Sequence, residues 1–248
     1  MSTVPVLELK GVRAAYGRIE ILHGVDLTVP VGSVVALLGP NGGGKTTTIK
    51  VIAGQLPPTA GCVHVAGRHV NGASADALAR IGVCTIPEGR GIFPNLTVRE
   101  NLRMATYAGM DYGMVEETAY ARFPRLGERR NQVAGTMSGG EQQMLALARG
   151  LSVNPSLLLL DELSMGLAPI IVEQLYEIVG TLAQQGISIL IVEQFAQAAL
   201  GVATTASIML HGQIVHSGRP EDMAAELSDI YMGTGEGSRA DHRRSPEP

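Results

Sequence analysis

Apolar residues along this chain fall either in short unbroken runs or at helical spacing, with glycine and proline marking the breaks. Val6 to Arg13 and Ile21 to Val29 alternate well enough for two strands about a turn at Tyr16-Gly17-Arg18, which predicts an antiparallel start. Ser33 to Leu38 is an uninterrupted apolar strand. Thr46 to Ala53 continues as a helix until Gly54 stops it. Beyond the turn at 56–61, Cys62 to Val70 reads as strand, Asp76 to Ile81 as a short helix, Gly82 to Pro87 as a buried strand and Glu88 to Asn95 as a loop. Charges become denser from Leu96 to Gln132. Thr97-Val98-Arg99-Glu100 is a capping box opening a helix through Met104 and Tyr107, and Glu116 to Phe123 is a second helix ended by Pro124. A helical sub-lobe is expected there. Met137 to Gln143 opens a helix running to about Leu151, and Leu157 to Leu160 is a buried strand ending in two acids. Pro169 begins a helix with Ile171, Leu175, Ile178 and Leu182 on one face, closed by Gly186. Ile187 to Val192 is another buried strand, ending in Glu193 and Gln194. Ala206 to Leu210 and Gln213 to Val215 form a hairpin about His211-Gly212, Pro220 to Tyr231 a closing helix, and Gly233 to Pro248 a disordered tail.

The stretch between the first buried strand and its helix carries chemistry. Gly39, Asn41, Gly42, Gly43, Gly44, Lys45, Thr46 and Thr47 form a glycine-rich turn with Walker A spacing. Several backbone N–H groups must converge on one anion, and glycines permit the positive φ angles and close approach that this needs. The helix behind presents its positive N-terminus to the same point. Lys45 then neutralises β/γ-phosphate charge and the Thr46 hydroxyl ligates Mg²⁺. Ser138-Gly139-Gly140-Glu141 begins a later helix; Ser138 and Glu141 satisfy a capping box, whereas two adjacent glycines suggest a second phosphate-approach surface. Asp161 and Glu162 end a buried strand, where ligands bind in open α/β sheets. Asp161 suits Mg²⁺ through its water shell, and Glu162 suits orienting or deprotonating a water at the γ-phosphate. Tyr16 can stack on a purine or sit as a half-exposed strand end.

Composition narrows the class. The chain's 248 residues are 45% apolar and 17% charged, enough for one large α/β domain with a sub-lobe. A net charge of −4 gives no broad footprint for gripping a nucleic-acid backbone. Cys62 and Cys84 sit in apolar runs as small buried hydrophobes, and no histidine shows metal-ligand spacing. No signal peptide is visible and no apolar run is long enough to cross a bilayer. Arg122, Arg125, Arg129 and Arg130 make either a solvated face or a partner-docking face.

Walker A, Ser-Gly-Gly-Glu and Leu-Leu-Leu-Leu-Asp-Glu in this order resemble the ATP-binding cassette ATPases, from about Leu7 to Met232. Pro87-Glu88-Gly89-Arg90, Thr97 to Leu102, Gly135 to Leu145 and Gly166 to Pro169 are similar to the branched-chain amino-acid importer ATPases, most of all the shorter of their two paralogous subunits. The resemblance implies a P-loop NTPase fold of the α/β class: a RecA-like core, an N-terminal antiparallel β subdomain and an inserted α-helical subdomain. It implies one domain over 1–232, with 1–90 and 155–232 as the nucleotide-binding core and 91–154 as the helical subdomain. It also implies ATP and Mg²⁺ as cofactors, and a head-to-tail pair with a second ATPase subunit, itself or a paralogue. Each ATP would then lie between the phosphate loop of one chain and Ser138, Gly139, Gly140 and Glu141 of the other. Further implied partners are two integral-membrane permease subunits on whose cytoplasmic face the chain would sit, and indirectly an extracytoplasmic solute-binding protein. Tyr16 matches the adenine-stacking aromatic.

Three positions depart from the broad family pattern. Glu88 stands at the usual metal-contacting glutamine, Gln194 at the usual γ-phosphate histidine, and Leu163 at the proline after the catalytic glutamate. The branched-chain subgroup commonly shows the first two. With Lys45 and Glu162, Gln194 completes the expected catalytic set, and a neutral Gln194 weakens transition-state stabilisation, so a slow regulatory cassette is one alternative. A soluble non-transport cassette ATPase is another; Ser138 follows Lys45 too closely for an inserted coiled coil.

Overall fold

The computed structural model describes residues 4–89, 91–223 and 227. β1 (Leu7–Tyr16) and β2 (Ile19–Val29) pair antiparallel from Leu7 opposite Val29 to Tyr16 opposite Ile19. Leu7 and Leu9 are buried, and so are Val12 and Ala14, so the inward parity changes partway along β1. A register shift between Leu9 and Val12 absorbs the extra residue, with the Gly11 amide donating to Asp26 Oδ1 at 2.8 Å. β3 (Val34–Leu38) is wholly buried and leads into the glycine turn and α1 (Lys45–Ile52).

The expected strand over Cys62 to Val70 is in fact two. β4 (Ala60–Val65) and β5 (Arg68–His69) flank a two-residue turn at Ala66-Gly67, both with positive φ, the geometry that matches strand twist in a tight hairpin. These strands make a four-stranded sheet in the order β2-β1-β4-β5. Cys62 and Cys84 are half-buried free thiols, less enclosed than their apolar neighbours predict.

α2 (Ala75–Arg80), capped by Ser74, precedes β6 (Val83–Ile86). α3 (Val98–Arg103) starts on the expected capping box, but the chain tightens to a 3₁₀ turn over Met104–Ala108 instead of continuing as α-helix. α4 (Tyr112–Arg122) begins four residues before Glu116 because Asp111 Oδ1 caps it, accepting from the Met114 amide at 3.1 Å. Pro124 both ends α4 and supplies the first residue of α5 (Pro124–Glu128), where a missing N–H costs nothing. α6 (Gly139–Leu151), β7 (Leu157–Asp161), α7 (Pro169–Gln184) and β8 (Ser188–Glu193) follow. Tyr176 and Val179 join Leu175 and Leu182 on the buried face of α7. Then come α8 (Ala196–Leu200), β9 (Thr205–Leu210) and β10 (Gln213–Gly218), the last two forming the expected hairpin. Helical residues are described at Pro220–Met223 and Leu227; the rest of the expected closing helix, and the tail, lie outside the described residues.

The second sheet has the order β10-β9-β3-β8-β7-β6, parallel except for the β9–β10 hairpin. Its three central strands, β3, β8 and β7, are buried on both faces, and their period of two sorts them into two cores. Val34, Ala36, Leu158, Leu160, Ile189 and Ile191 pack among the helices between β6 and β8; Val35, Leu37, Leu157, Leu159, Leu190 and Val192 pack against α1 and the antiparallel sheet. The carboxyl ends of β3, β8 and β7 are adjacent, with Leu38 paired to Glu193 and Asp161 to Val192. Whatever follows those three strands therefore meets at one edge.

Helices α6 and α7 touch at Gly140, where an added Cβ would lie 2.3 Å from Ile171 Cγ2. Overpacking of about 1–3 kcal/mol outweighs the gain of at most about 1 kcal/mol from replacing a helical glycine. Gly140→Ala is expected to lower stability in urea unfolding, and Ile171→Ala added to it to cost less than Ile171→Ala does alone. A Gly140→Ala chain as stable as the parent would contradict this packing.

Candidate nucleotide site

The turn after β3 is shaped by two close approaches. Gly39 has φ +150, and a Cβ there would lie 2.2 Å from the Met209 carbonyl oxygen of β9. Gly44 caps α1 at φ +106 and offers no side chain to its first amides, which leaves them to an external acceptor. Lys45 is 3% exposed, and its Nζ donates to the carbonyls of Gly39 at 2.9 Å and Pro40 at 3.1 Å. The amine is thus held over the mouth of the turn by weak neutral acceptors that an anion can replace. A cavity of about 220 Å³ opens here, lined by Asn41, Gly42, Gly44, Lys45, Thr46 and Thr47 together with Tyr16 and Glu162. Gly43 is buried beneath, its Cβ position 3.0 Å from the Pro40 carbonyl oxygen. Tyr16 ends β1 half-exposed, with Lys50 Nζ 5.7 Å from its ring centroid.

The acids converge from the neighbouring strands. Asp161 ends β7 and is 4% exposed; Thr46 Oγ1 donates to its Oδ1 at 3.4 Å. Burial, then the charges of Glu162 and Glu88, push its carboxyl up to about 6, against the pull of Thr46 and Lys45. Glu162 Oε1 stands 3.7 Å from Lys45 Nζ. Glu162 itself sits at φ +49, a left-handed conformation that costs a non-glycine residue about 1–2 kcal/mol, and its amide donates to the Val192 carbonyl at 2.9 Å. Glu88 is exposed just beyond β6, close enough for its charge to be felt at Asp161. Gln194 follows β8 half-buried. Hydroxyl and carboxylate oxygens such as these suit a hard divalent cation; among the described residues no three His, Cys, Asp or Glu side chains are placed to hold a metal ion by themselves.

Ser138, Gly139, Gly140 and Glu141 do not line this cavity; they form the capped start of α6. Glu141 Oε2 accepts from the Ser138 amide at 2.9 Å and its hydroxyl at 2.8 Å, while Arg129 Nε pairs with Glu141 Oε1 at 2.8 Å. Burial acts to raise this carboxyl, but the Ser138 bonds and the arginine charges hold it below the usual range. Arg129 thus fastens this cap while remaining exposed, and Arg122 donates to Gln185 Oε1 at 3.3 Å.

Sequence reasoning missed Glu193 as anything more than a polar strand end. It is 1% exposed and accepts from Ser164 and Tyr176; burial, foremost, raises its carboxyl above the usual range. Its signal was a carboxylate inside a run that is otherwise buried.

The ABC transporter family model matches residues 22–164. The chain is 40% identical over 232 residues to the high-affinity branched-chain amino acid transport ATP-binding protein BraG of Pseudomonas aeruginosa, spanning 92% of this chain and 100% of that one. It is 33% identical over 214 residues to the probable branched-chain amino acid transport ATP-binding protein LivF of Archaeoglobus fulgidus, spanning 85% and 90% of the two chains. The crystal structure of an ATP-binding cassette of an ABC transporter in its ADP conformation superposes with a TM-score of 0.83 at 27% identity, over 93% of this chain and 100% of that one. With the phosphate-loop lysine and the strand-end acids assembled at one edge of such a sheet, the chain belongs to the ABC transporter ATP-binding cassette family.

Proposed function

We propose that the chain is the ATP-hydrolysing subunit of an importer for branched-chain or related amino acids. The observation that carries this reading is the meeting of Lys45, Thr46, Asp161 and Glu162 at the carboxyl ends of β3 and β7. Asn41, Gly42, Gly44 and Thr47 cradle the phosphates with their amides, Gly43 shapes the turn from below with its own amide donating to the Pro40 carbonyl at 3.1 Å, and Lys45 exchanges its carbonyl partners for phosphate oxygens. Tyr16 stacks on adenine. Thr46, Asp161 and Glu88 hold Mg²⁺, directly or through water, which supplies positive charge at the phosphates where acids otherwise predominate. Glu162 orients and deprotonates the attacking water, and Gln194 donates a hydrogen bond towards the γ-phosphate.

Residues 91–154 act as a helical lobe on a core made of 1–90 and 155–232. No helix among the described residues is long and apolar enough to cross a membrane. Transport is carried by two separate permease subunits that hold the chain at the cytoplasmic face, fed by an extracytoplasmic solute-binding protein, as the branched-chain relatives' names support. Ser138 to Glu141 complete the site of a second cassette, a copy or a paralogue, lying head to tail; nucleic acid plays no part.

Glu162→Gln is expected to lower the ATPase rate by about 10²–10⁴-fold while ATP binding persists; a parental rate in the variant would refute the assignment. Ser138→Arg blocks the second wall instead. If two copies pair head to tail, mixing the inactive Ser138→Arg and Glu162→Gln chains restores activity, because one site of the mixed pair is intact. A mixture as inactive as either variant alone would exclude self-pairing and leave the paralogue.

A further inference from the structure

The segment after β7 is fastened from two sides. Glu193, the last residue of β8, has both carboxylate oxygens occupied: Oε1 accepts from the Ser164 amide at 2.9 Å and the Tyr176 hydroxyl at 2.7 Å, and Oε2 accepts from the Ser164 hydroxyl at 2.8 Å. Ser164 lies two residues beyond Glu162. On the other side, Gln143 Nε2 of α6 donates to the Leu163 carbonyl at 3.0 Å. The Glu162 amide is itself tied to Val192, the residue before Glu193. Residues 162–164 are thus held to the end of β8 and to the helix that begins at Ser138.

A carboxylate is a costly way to satisfy one tyrosine and one serine in a protein interior. Hydrogen bonds to an ionised acceptor are, however, shorter and stronger than neutral ones, and they resist displacement. That property suits a segment whose first residue holds a left-handed backbone and whose side chain must face a phosphate. Glu193, Ser164 and Tyr176 do not themselves line the nucleotide cavity.

We propose that Glu193 is a positioning residue for hydrolysis: its buried carboxylate clamps the backbone of Glu162 to Ser164 against the end of β8, fixing Glu162 relative to the phosphate loop and to Gln194. This rests on Glu162 being the group that prepares the attacking water. The clamp acts on the chemical step and leaves nucleotide binding to the loop.

The test uses the full chain. Glu193→Gln keeps the shape but loses the charge, and is expected to lower kcat by about 10- to 100-fold, the scale of a small misplacement of a catalytic group. KM for Mg·ATP and the Kd of a fluorescent ATP analogue stay within about twofold of the parent. Ser164→Thr retains the parental rate where Ser164→Ala loses it, and Glu193→Gln added to Glu162→Gln lowers the residual rate no further. Amide exchange at Leu163 and Ser164 accelerates in Glu193→Gln while that of α1 stays parental. A folded Glu193→Gln chain with parental kcat would overturn the proposal, as would parental exchange at Leu163 and Ser164, or equal losses in kcat and nucleotide affinity. A parent chain whose hydrolysis does not depend on Glu162 refutes the underlying reading instead, and the exchange comparison still decides the clamp.

Discussion

One buried amine faces an excess of buried acid at the edge where β3, β8 and β7 end. Lys45 stands within 3.7 Å of Glu162, and Asp161 and Glu193 are buried alongside them. In a medium that screens poorly, such an arrangement is tolerable only if protons, hydrogen bonds or an added cation offset the excess. Each acid meets the problem differently: Asp161 holds its proton up to about 6, Glu162 lies beside the lysine, and Glu193 collects three donors. Of these three remedies, the raised Asp161 carboxyl is the one a divalent cation would relieve, and it lies next to the Thr46 hydroxyl.

The fold holds this unbalanced edge together through backbone register. β8 lies between β3 and β7, so its pairings with both set the phosphate loop and the acids at fixed separation. Because side chains on these strands alternate between two cores, a slip of one residue would exchange every buried contact on both faces. Helix α6 meets the same edge: its capped start and Gln143 lie on one element, and Gln143 ties that helix to the segment carrying Glu162.

Much of this was legible in the sequence because its signals are local. The glycine turn between an apolar run and a helix, the two capping boxes and the four leucines before Asp161 each specify their own geometry. What escaped is non-local or is hidden by regular patterning. The bulge at Gly11 follows from strand pairing that the apparent alternation of Val6 to Arg13 conceals. Gly140, read as one half of a phosphate-approach surface, also has a packing role that only the approach of Ile171 reveals. Pro124 looked like a terminator and also begins a helix, since the first position of α5 needs no N–H. Glu193 was visible as a letter, but its donors come from Ser164 and Tyr176, which only folding brings to it.

The charge imbalance is concentrated at Asp161, and proton release on Mg·ATP binding reports it. Calorimetry in buffers of different ionisation enthalpy, on the Glu162→Gln chain to prevent turnover, would compare Asp161 with Asp161→Asn. Removing the Glu162 charge lowers the Asp161 carboxyl somewhat, but burial, the largest cause of its rise, remains. With a carboxyl still titrating above the ordinary Asp range and the cation stabilising its ionised form, Asp161 is predicted to release a fraction of a proton, up to about one half, near pH 5.5, and none at pH 8. The Asp161→Asn chain would lack that contribution at both pH values. Equal proton release by the two chains near pH 5.5 would mean that Asp161 carries no proton for the cation to displace.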